Sequence, residues 1–176
     1  METGDTMIMN SNRLYLRKIK MDDLNHLDKL QSNANVMRYI TNRPKTLEET
    51  ENELNKILQM YKEKNADFEV IAVCKNETNQ LIGTCAIIKN EADEFEIGYR
   101  LAEEEWGKGF GSEIASLIED YCFGIRKLNF IVATVEAKNI YSVKILEKKG
   151  FNLILESIDD ENSELTKYYR KDRHNY

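Results

Sequence analysis

The first feature of the chain is a period-two pattern of side chains over several short segments. Residues 13–19 alternate in this way, with Leu14 and Leu16 on one face, which is typical of a half-buried strand. Residues 68–75, 81–89 and 95–101 repeat this period and are joined by short polar turns, so they predict an antiparallel meander. Three later segments also predict strands, and they span 129–135, 151–156 and 165–171.

Helical periodicity fills the intervals between these strands. Thr46 opens a capping box, and the residues after it place their apolar side chains on one helical face. A shorter helix is predicted over about 22–30. Two more are predicted over about 109–124 and 139–149, and the second ends at Gly150, where a left-handed C-cap is expected.

The order of these elements predicts the fold class. The series β-α-α-β-β-β-α-β-α-β-β indicates a mixed α/β (α+β) domain, with a mostly antiparallel central sheet of about seven strands and flanking helices. The 176 residues contain one proline and no repetitive or linker-like segment, so residues 1–176 are predicted to form a single domain. Residues 1–12 are predicted to be a flexible N-terminal segment.

Composition and charge exclude several classes of function but say little about the fold. The net charge of −6 argues against nucleic acid as a partner, because that ligand selects a basic face. No apolar run approaches the ~20 residues of a membrane span, and the N-terminus lacks the features of a signal peptide, so we expect a cytoplasmic protein without a membrane partner. Three cysteines without a C-x-x-C pair argue against disulfides and metal. With His26 and His174 as the two histidines, acid–base chemistry falls to Glu, Asp, Tyr or Ser.

The most informative stretch is a glycine-rich loop at residues 106–112, which lies between a predicted strand and a predicted helix. Its alternate glycines permit a tight turn, and the N–H groups of a helix start suit a phosphate. The P-loop pattern fails because Gly109 follows Lys108. The dinucleotide fingerprint fails because its last glycine position is Ser112.

Two segments of the chain resemble the motifs of a known family. The runs 96–101 and 106–113 together resemble motif A of the GNAT acetyltransferases, and 139–151 resembles their motif B. The family's Gln/Arg-x-x-Gly-x-Gly/Ala pattern is present with Trp106 in the first place. That tryptophan and the Asn-x-x-Ser sequence opening motif B resemble the branch of ribosomal-protein N-terminal acetyltransferases. The resemblance covers nearly the whole chain, because the order of elements also matches.

The resemblance implies a cofactor site. In this family the motif A strand bulges and splays away from the next parallel strand, and the pantetheine arm of acetyl-CoA enters the opening. The backbone of Tyr99, Arg100 and Leu101 would pair with the pantetheine amides, as an added strand would. Asn139 and Ser142 would point into the cleft, although Asn139 is equally suited to cap its helix. The residues implied to hold the pyrophosphate are Gly107, Lys108, Gly109, Phe110, Gly111 and Ser112.

The chemistry of acetyl transfer points to a few further residues. An alkyl ammonium, with a pKa near ~10, must lose a proton before it can attack, so a general base assists. Glu96 is the first candidate, since many family members keep a catalytic Glu in this strand, and Glu94 is a weaker one. Many members also carry a Tyr that protonates the leaving thiolate, but this chain has Leu146 there. Ser142 is the preferred substitute, and Tyr141 and water stay open.

These features together predict an acetyl-CoA-dependent N-acetyltransferase without a metal. It would move the acetyl group directly to a primary amine in a ternary complex. The acceptor would be a protein N-terminus or a small-molecule amine, selected by residues 35–50 and the last two strands. A homodimer is a further expectation. The alternative is a non-catalytic acyl-CoA-binding regulatory module, which would bind acetyl-CoA without releasing CoA.

Overall fold

A single mixed sheet forms the centre of the computed structural model, which describes residues 7–159 and 163–173. Within these residues the strands are β1 (Met7–Asn10), β2 (Leu14–Lys18), β3 (Phe68–Lys75), β4 (Leu81–Lys89), β5 (Phe95–Leu101), β6 (Phe130–Glu136), β7 (Asn152–Ile158) and β8 (Leu165–Asp172). Their order across the sheet is β1-β2-β3-β4-β5-β6-β8-β7. All neighbours are antiparallel except β5 and β6, which are parallel. The predicted fold class and the meander β3-β4-β5 are confirmed.

The helices lie where the periodicity predicts them, with one addition. They are α1 (Leu24–Gln31), α2 (Ala34–Met37), α3 (Leu47–Lys62), α4 (Phe110–Glu119) and α5 (Ile140–Lys148), and a π-helical turn, Asp120–Ile125, follows α4. The capping box of α3 is confirmed, since Thr46 and Glu49 exchange both hydrogen bonds. The unexpected α2 is a single turn that Asn33 caps by accepting hydrogen bonds from two backbone N–H groups.

Helices cover the sheet on two sides, and each side has its own apolar core. On one side, Ile114 and Leu117 of α4 pack with Val143 of α5 and with the sheet. On the other side, Leu27 of α1 and Leu54 of α3 pack against β3 and β4. The sheet is therefore the middle layer, and β2, β3 and β4 send alternate side chains to the two cores.

The N-terminal segment differs from the prediction. Residues 7–10 form an eighth strand, β1, which pairs antiparallel with β2, so the expected flexibility of 1–12 is wrong for this part. The physical reason is burial: Ile8 and Met9 pack against the core beneath α4. Residues 1–6, like His174, lie outside the described residues.

Candidate active site

The site begins where β5 and β6 diverge. Within the described chain, Glu96 and Val132 are the only residues that these two parallel strands hold in register. The strands therefore separate towards the C-terminal end of β5, as the splayed pair in the prediction requires. In a regular parallel ladder the next N–H along β6, that of Thr134, would donate to a β5 carbonyl. It donates instead to the Glu96 carboxylate, at 3.3 Å.

The divergence does not come from a bulge in β5, so that part of the prediction is wrong. The register of β4 with β5 runs without interruption from Phe95 to Leu101. The irregularity lies on the other side of β4, between Val73 and Cys74 in the pairing with β3. Gly83 keeps β4 and β5 close, because a Cβ there would lie 2.3 Å from the Arg100 carbonyl oxygen.

The backbone of β5 presents a polar edge to this opening. The Ala102 N–H donates to Ile82 of β4 at 2.8 Å, which fixes the direction of the even-numbered backbone groups. Because successive residues of a strand point their N–H and C=O groups to opposite sides, those of Tyr99 and Leu101 point away from β4. The Leu101 carbonyl is taken by the Trp106 indole N–H at 2.8 Å. The N–H groups of Tyr99 and Leu101 thus face the gap, which supports their predicted role towards pantetheine.

Arg100 does not belong to this edge. Its carbonyl lies against Gly83 on the β4 side. Its guanidinium, 15% exposed, pairs with Glu53 of α3 at 3.0 Å. The structure therefore directs both the backbone and the side chain of Arg100 away from the opening, and the expected contact with the cofactor is not supported.

The glycine loop lies next to the diverging strands and opens α4. Gly107 and Gly109 have φ values of +75° and +81°, a left-handed conformation that strongly favours glycine. Gly109 is the N-cap and has no side chain with which to cap, so the first N–H groups of α4 have no partner in the helix. Together with the helix dipole, these groups make a fitting place for a pyrophosphate.

Phe110 and Gly111 can offer an anion only their backbone, whereas Lys108 also has a half-exposed ammonium. The Lys108 ammonium pairs with Glu105 at 2.9 Å. The ring of Phe110 is buried in the core beneath α4. Gly111 allows α4 to pack closely, since a Cβ there would lie 2.9 Å from Ile145 of α5 and 3.2 Å from the Tyr99 hydroxyl. The loop therefore offers an anion its N–H groups, with the Lys108 ammonium beside them.

Helix α5 closes the site from the other side. The Asn139 side chain accepts the Ser142 N–H at 3.3 Å, so its capping role is confirmed. Burial raises the pKa of the Tyr99 phenol, while a hydrogen bond with the Ser142 side chain acts in the opposite direction. Ser142 thus lies beside Tyr99 at the opening. Tyr141 is 84% exposed, and Leu146 is buried in the core.

The two candidate bases lie on the opposite face of β5 from Tyr99, as alternation predicts. Glu96 lies at the divergence itself and contacts β6 through Thr134. Glu94 accepts a hydrogen bond from the Tyr168 hydroxyl of β8. Burial, and then Glu94, raises the pKa of Tyr168 to about 12. Of the two carboxylates, Glu96 is therefore the one beside the opening, and Glu94 is held by β8.

Part of the predicted acceptor region reaches this face. Tyr39, in the connection from α2 to α3, places its hydroxyl 3.5 Å from the Lys138 carbonyl, in the connection from β6 to α5. The two connections thus meet across the open end of the divergence. Tyr168 also lies on this face through its bond to Glu94, whereas Tyr169 is fully buried and serves packing.

Sequence reasoning missed two contacts at the site. The Trp106 indole holds the end of β5, although only its place in the motif was recognised. Arg13 donates to the Lys108 carbonyl at 2.9 Å, across 95 positions of sequence. No local pattern could have shown the Arg13 contact, because it joins distant segments, whereas the Trp106 indole bonds a carbonyl five residues earlier and its one signal was its place in the motif.

No helix among residues 7–159 and 163–173 is long and apolar enough to cross a membrane. Across the same ranges, no group of three or more His, Cys, Asp or Glu side chains is arranged to hold a metal ion.

Comparison with known proteins identifies what the chain is similar to. A family model described as an acetyltransferase (GNAT) domain matches residues 13–152. An uncharacterised N-acetyltransferase, p20, from Bacillus licheniformis is 35% identical over 143 residues, which are 79% of each protein. The family match includes the diverging strands, the glycine loop and the start of α5.

Solved structures repeat the fold over nearly the full chain. Spermidine N-acetyltransferase from Vibrio cholerae, in complex with CoA and spermine, is 25% identical with a TM-score of 0.77, covering 90% of this chain and 94% of that one. Ribosomal-protein-S5-alanine acetyltransferase from Vibrio fischeri is 19% identical with a TM-score of 0.77, covering 96% and 97%. The second likeness shows the fold alone.

The loop geometry generates a prediction about cofactor binding. Gly109→Ala should weaken CoA binding at least tenfold, because a Cβ at φ +81° costs about 1–2 kcal/mol and moves the N–H groups of the loop. Gly150→Ala is the matched control, since Gly150 has φ +78° but follows α5. Both variants should lose similar thermal stability. Titration calorimetry with CoA checks the difference, and wild-type affinity in a folded Gly109→Ala protein would contradict the site.

Proposed function

Because the chain belongs to the GNAT family of acetyltransferases, we propose that it transfers the acetyl group of acetyl-CoA directly to a primary amine in a ternary complex. The observation that carries this proposal is the divergence of β5 from β6, with Glu96 at its apex. The unpaired strand edge and the uncapped start of α4 lie side by side. A thioester carrier would fit both features, because its peptide-like arm would pair with the strand edge and its pyrophosphate would bind at the start of α4.

The chain is an acetyl-CoA-dependent N-acetyltransferase. We assign different parts of acetyl-CoA to different groups of its residues. The N–H groups at the start of α4 would hold the pyrophosphate. The N–H groups of Tyr99 and Leu101 would pair with the pantetheine arm as a neighbouring strand does. One of these strand N–H groups, that of Tyr99, would also polarise the thioester carbonyl and stabilise the oxyanion.

The reaction forms a nitrogen–carbon bond and breaks the carbon–sulfur bond of the thioester. Glu96 would accept the proton that the attacking amine gives up, and solvent would then receive it. The leaving thiolate gains a proton or a hydrogen bond from Ser142 or from water. No nucleophilic side chain is required, and Cys122 is fully buried in the core.

The acceptor is proposed to approach over the face that carries Glu94 and Glu96. This face lies between the Tyr39 segment and β8, and two carboxylates there favour an ammonium group. The similarity to a spermidine N-acetyltransferase supports a small polyamine-like acceptor. A protein N-terminus is the other candidate, in line with the motif resemblance. Location in the cytoplasm and a homodimer remain predictions.

A turnover assay tests the proposal and separates it from the alternative of a non-catalytic acyl-CoA-binding module. Acetyl-CoA is offered with a panel of polyamines, amino acids and peptide N-termini, and CoA release is followed. The proposal expects amine-dependent release of CoA. Binding of acetyl-CoA without release for any amine would favour the regulatory module.

The position of Glu96 generates a prediction about pH. Glu96→Gln should lower turnover at neutral pH by about 10²- to 10⁴-fold and recover partly as pH rises, because the amine then loses its proton unaided. Glu94→Gln is the matched control and should lose much less, since Glu94 contacts Tyr168 rather than the opening. The check is the pH profile of kcat at saturating acetyl-CoA. The reverse ranking of the two variants would move the base to Glu94.

The position of Ser142 generates a prediction about the leaving thiolate. Ser142→Ala should keep CoA affinity and lose about ten- to a thousandfold in turnover, the range for one hydrogen bond or proton transfer. Tyr141→Phe should change neither quantity, because Tyr141 is exposed. Single-turnover acetyl transfer at saturating acetyl-CoA measures the effect. An unaltered rate would mean that water, not Ser142, protonates the leaving thiolate. Loss of CoA affinity with a normal rate would make Ser142 a binding residue only.

A further inference from the structure

We infer that Arg13 is a positioning residue that aims the N–H groups of the glycine loop at the pyrophosphate of acetyl-CoA. The inference rests on the proposed function, because it concerns the same cofactor site. Arg13 lies in the turn between β1 and β2 and immediately precedes Leu14, the first residue of β2. Folding brings this turn to the start of α4, where the guanidinium contacts three different parts of the loop and helix.

The first contact fixes the direction of a peptide group. The Arg13 Nη1 donates to the Lys108 carbonyl at 2.9 Å. The Lys108 carbonyl and the Gly109 N–H belong to one planar trans peptide, so they point in opposite directions. Holding the carbonyl towards Arg13 therefore aims the Gly109 N–H away from it. Because Gly109 is a left-handed glycine, this peptide could otherwise rotate with little resistance.

The second contact neutralises a carboxylate beside the anion site. Arg13 Nε and Nη2 both contact Glu113 Oε2, at 2.8 Å and 2.6 Å, and the Arg13 backbone N–H donates to Glu113 Oε1 at 3.0 Å. Ser11 adds a fourth bond at 2.6 Å. Burial alone would raise the pKa of Glu113, but the hydrogen bonds from Ser11 and Arg13 lower it overall. Glu113 is thus ionised in the first turn of α4, where its charge without Arg13 would repel a pyrophosphate.

The third contact and the base of the turn keep the guanidinium in place. It stacks on the Phe110 ring, 4.4 Å from the ring centroid, and that ring is buried. Asn76 donates to the carbonyls of Ser11 and Asn12 at 3.0 Å each, which ties the turn to the end of β3. Each of the three guanidinium nitrogens contacts a protein oxygen, Lys108 O for Nη1 and Glu113 Oε2 for Nε and Nη2, so the guanidinium is held against the loop and α4, and we assign Arg13 to positioning.

The test compares two acetyl donors. S-Acetylpantetheine carries the same thioester and arm as acetyl-CoA but lacks the pyrophosphate. Arg13→Gln should lower kcat/KM for acetyl-CoA about tenfold, mainly through KM, because a charge-assisted hydrogen bond to the loop is lost. It should leave kcat/KM for S-acetylpantetheine within about twofold of wild type. A general structural defect would lower both.

Further variants keep the result interpretable. Arg13→Lys keeps the charge but cannot hold the carbonyl and the carboxylate together, so it should recover only part of the loss. Arg173→Gln removes a similar arginine–carbonyl bond, to Lys127 in the connection between the π-helical turn and β6, and should change kcat/KM for neither donor. The double variant Arg13→Gln/Glu113→Gln should stay impaired with acetyl-CoA, because the peptide is still not held.

Three outcomes overturn the inference: no change with acetyl-CoA in folded Arg13→Gln, an equal loss with both donors, or full recovery in the double variant. The last would mean that repulsion from Glu113 was the whole defect. A wild-type protein that does not bind CoA would instead refute the proposed function. The two failures are therefore distinguishable in one set of assays.

Discussion

Where two parallel strands diverge in the middle of a sheet, their backbone N–H and C=O groups lose the partners that the ladder would supply. Such groups cost about 1–3 kcal/mol each when they are buried and unpaired, so a protein must supply partners for them. In this chain two of them are satisfied internally: Glu96 takes the Thr134 N–H, and the Trp106 indole holds the Leu101 carbonyl. The N–H groups of Tyr99 and Leu101 remain directed at the gap. The proposed binding of pantetheine follows from this constraint, since its amides would complete the ladder.

The elements around the divergence are arranged to keep it rigid. Gly83 holds β4 tightly against β5, so the opening forms on the β6 side alone. Lys75 of β3 pairs with Glu105 at 2.5 Å, which ties the segment before the glycine loop to the sheet. Arg13 holds the loop from the N-terminal turn. A site fixed in this way loses little entropy when a ligand binds, and its dipoles already point where charge develops during acyl transfer.

The parts of this structure that could be predicted are those encoded by neighbouring residues. Period-two alternation located the meander, a capping box located the start of α3, and Gly150 adopts the left-handed conformation expected after α5. Resemblance in two motifs then indicated the cleft. The errors share a different origin: β1 is stabilised by pairing and burial against other segments, and Arg100 turns to Glu53, which is 47 positions away. Arg13 was missed because Glu113 lies 100 positions from it. Local sequence does not encode such contacts.

The central claim is that the edge of β5 facing β6 receives the cofactor as an added strand. Amide hydrogen exchange of single residues, measured by NMR with and without CoA, tests it within one strand. CoA should slow the amides of Tyr99 and Leu101 by at least tenfold more than those of Gly98 and Arg100, which point towards β4. Equal changes at all four amides, or no change at Tyr99 and Leu101 while CoA is bound, would contradict the account.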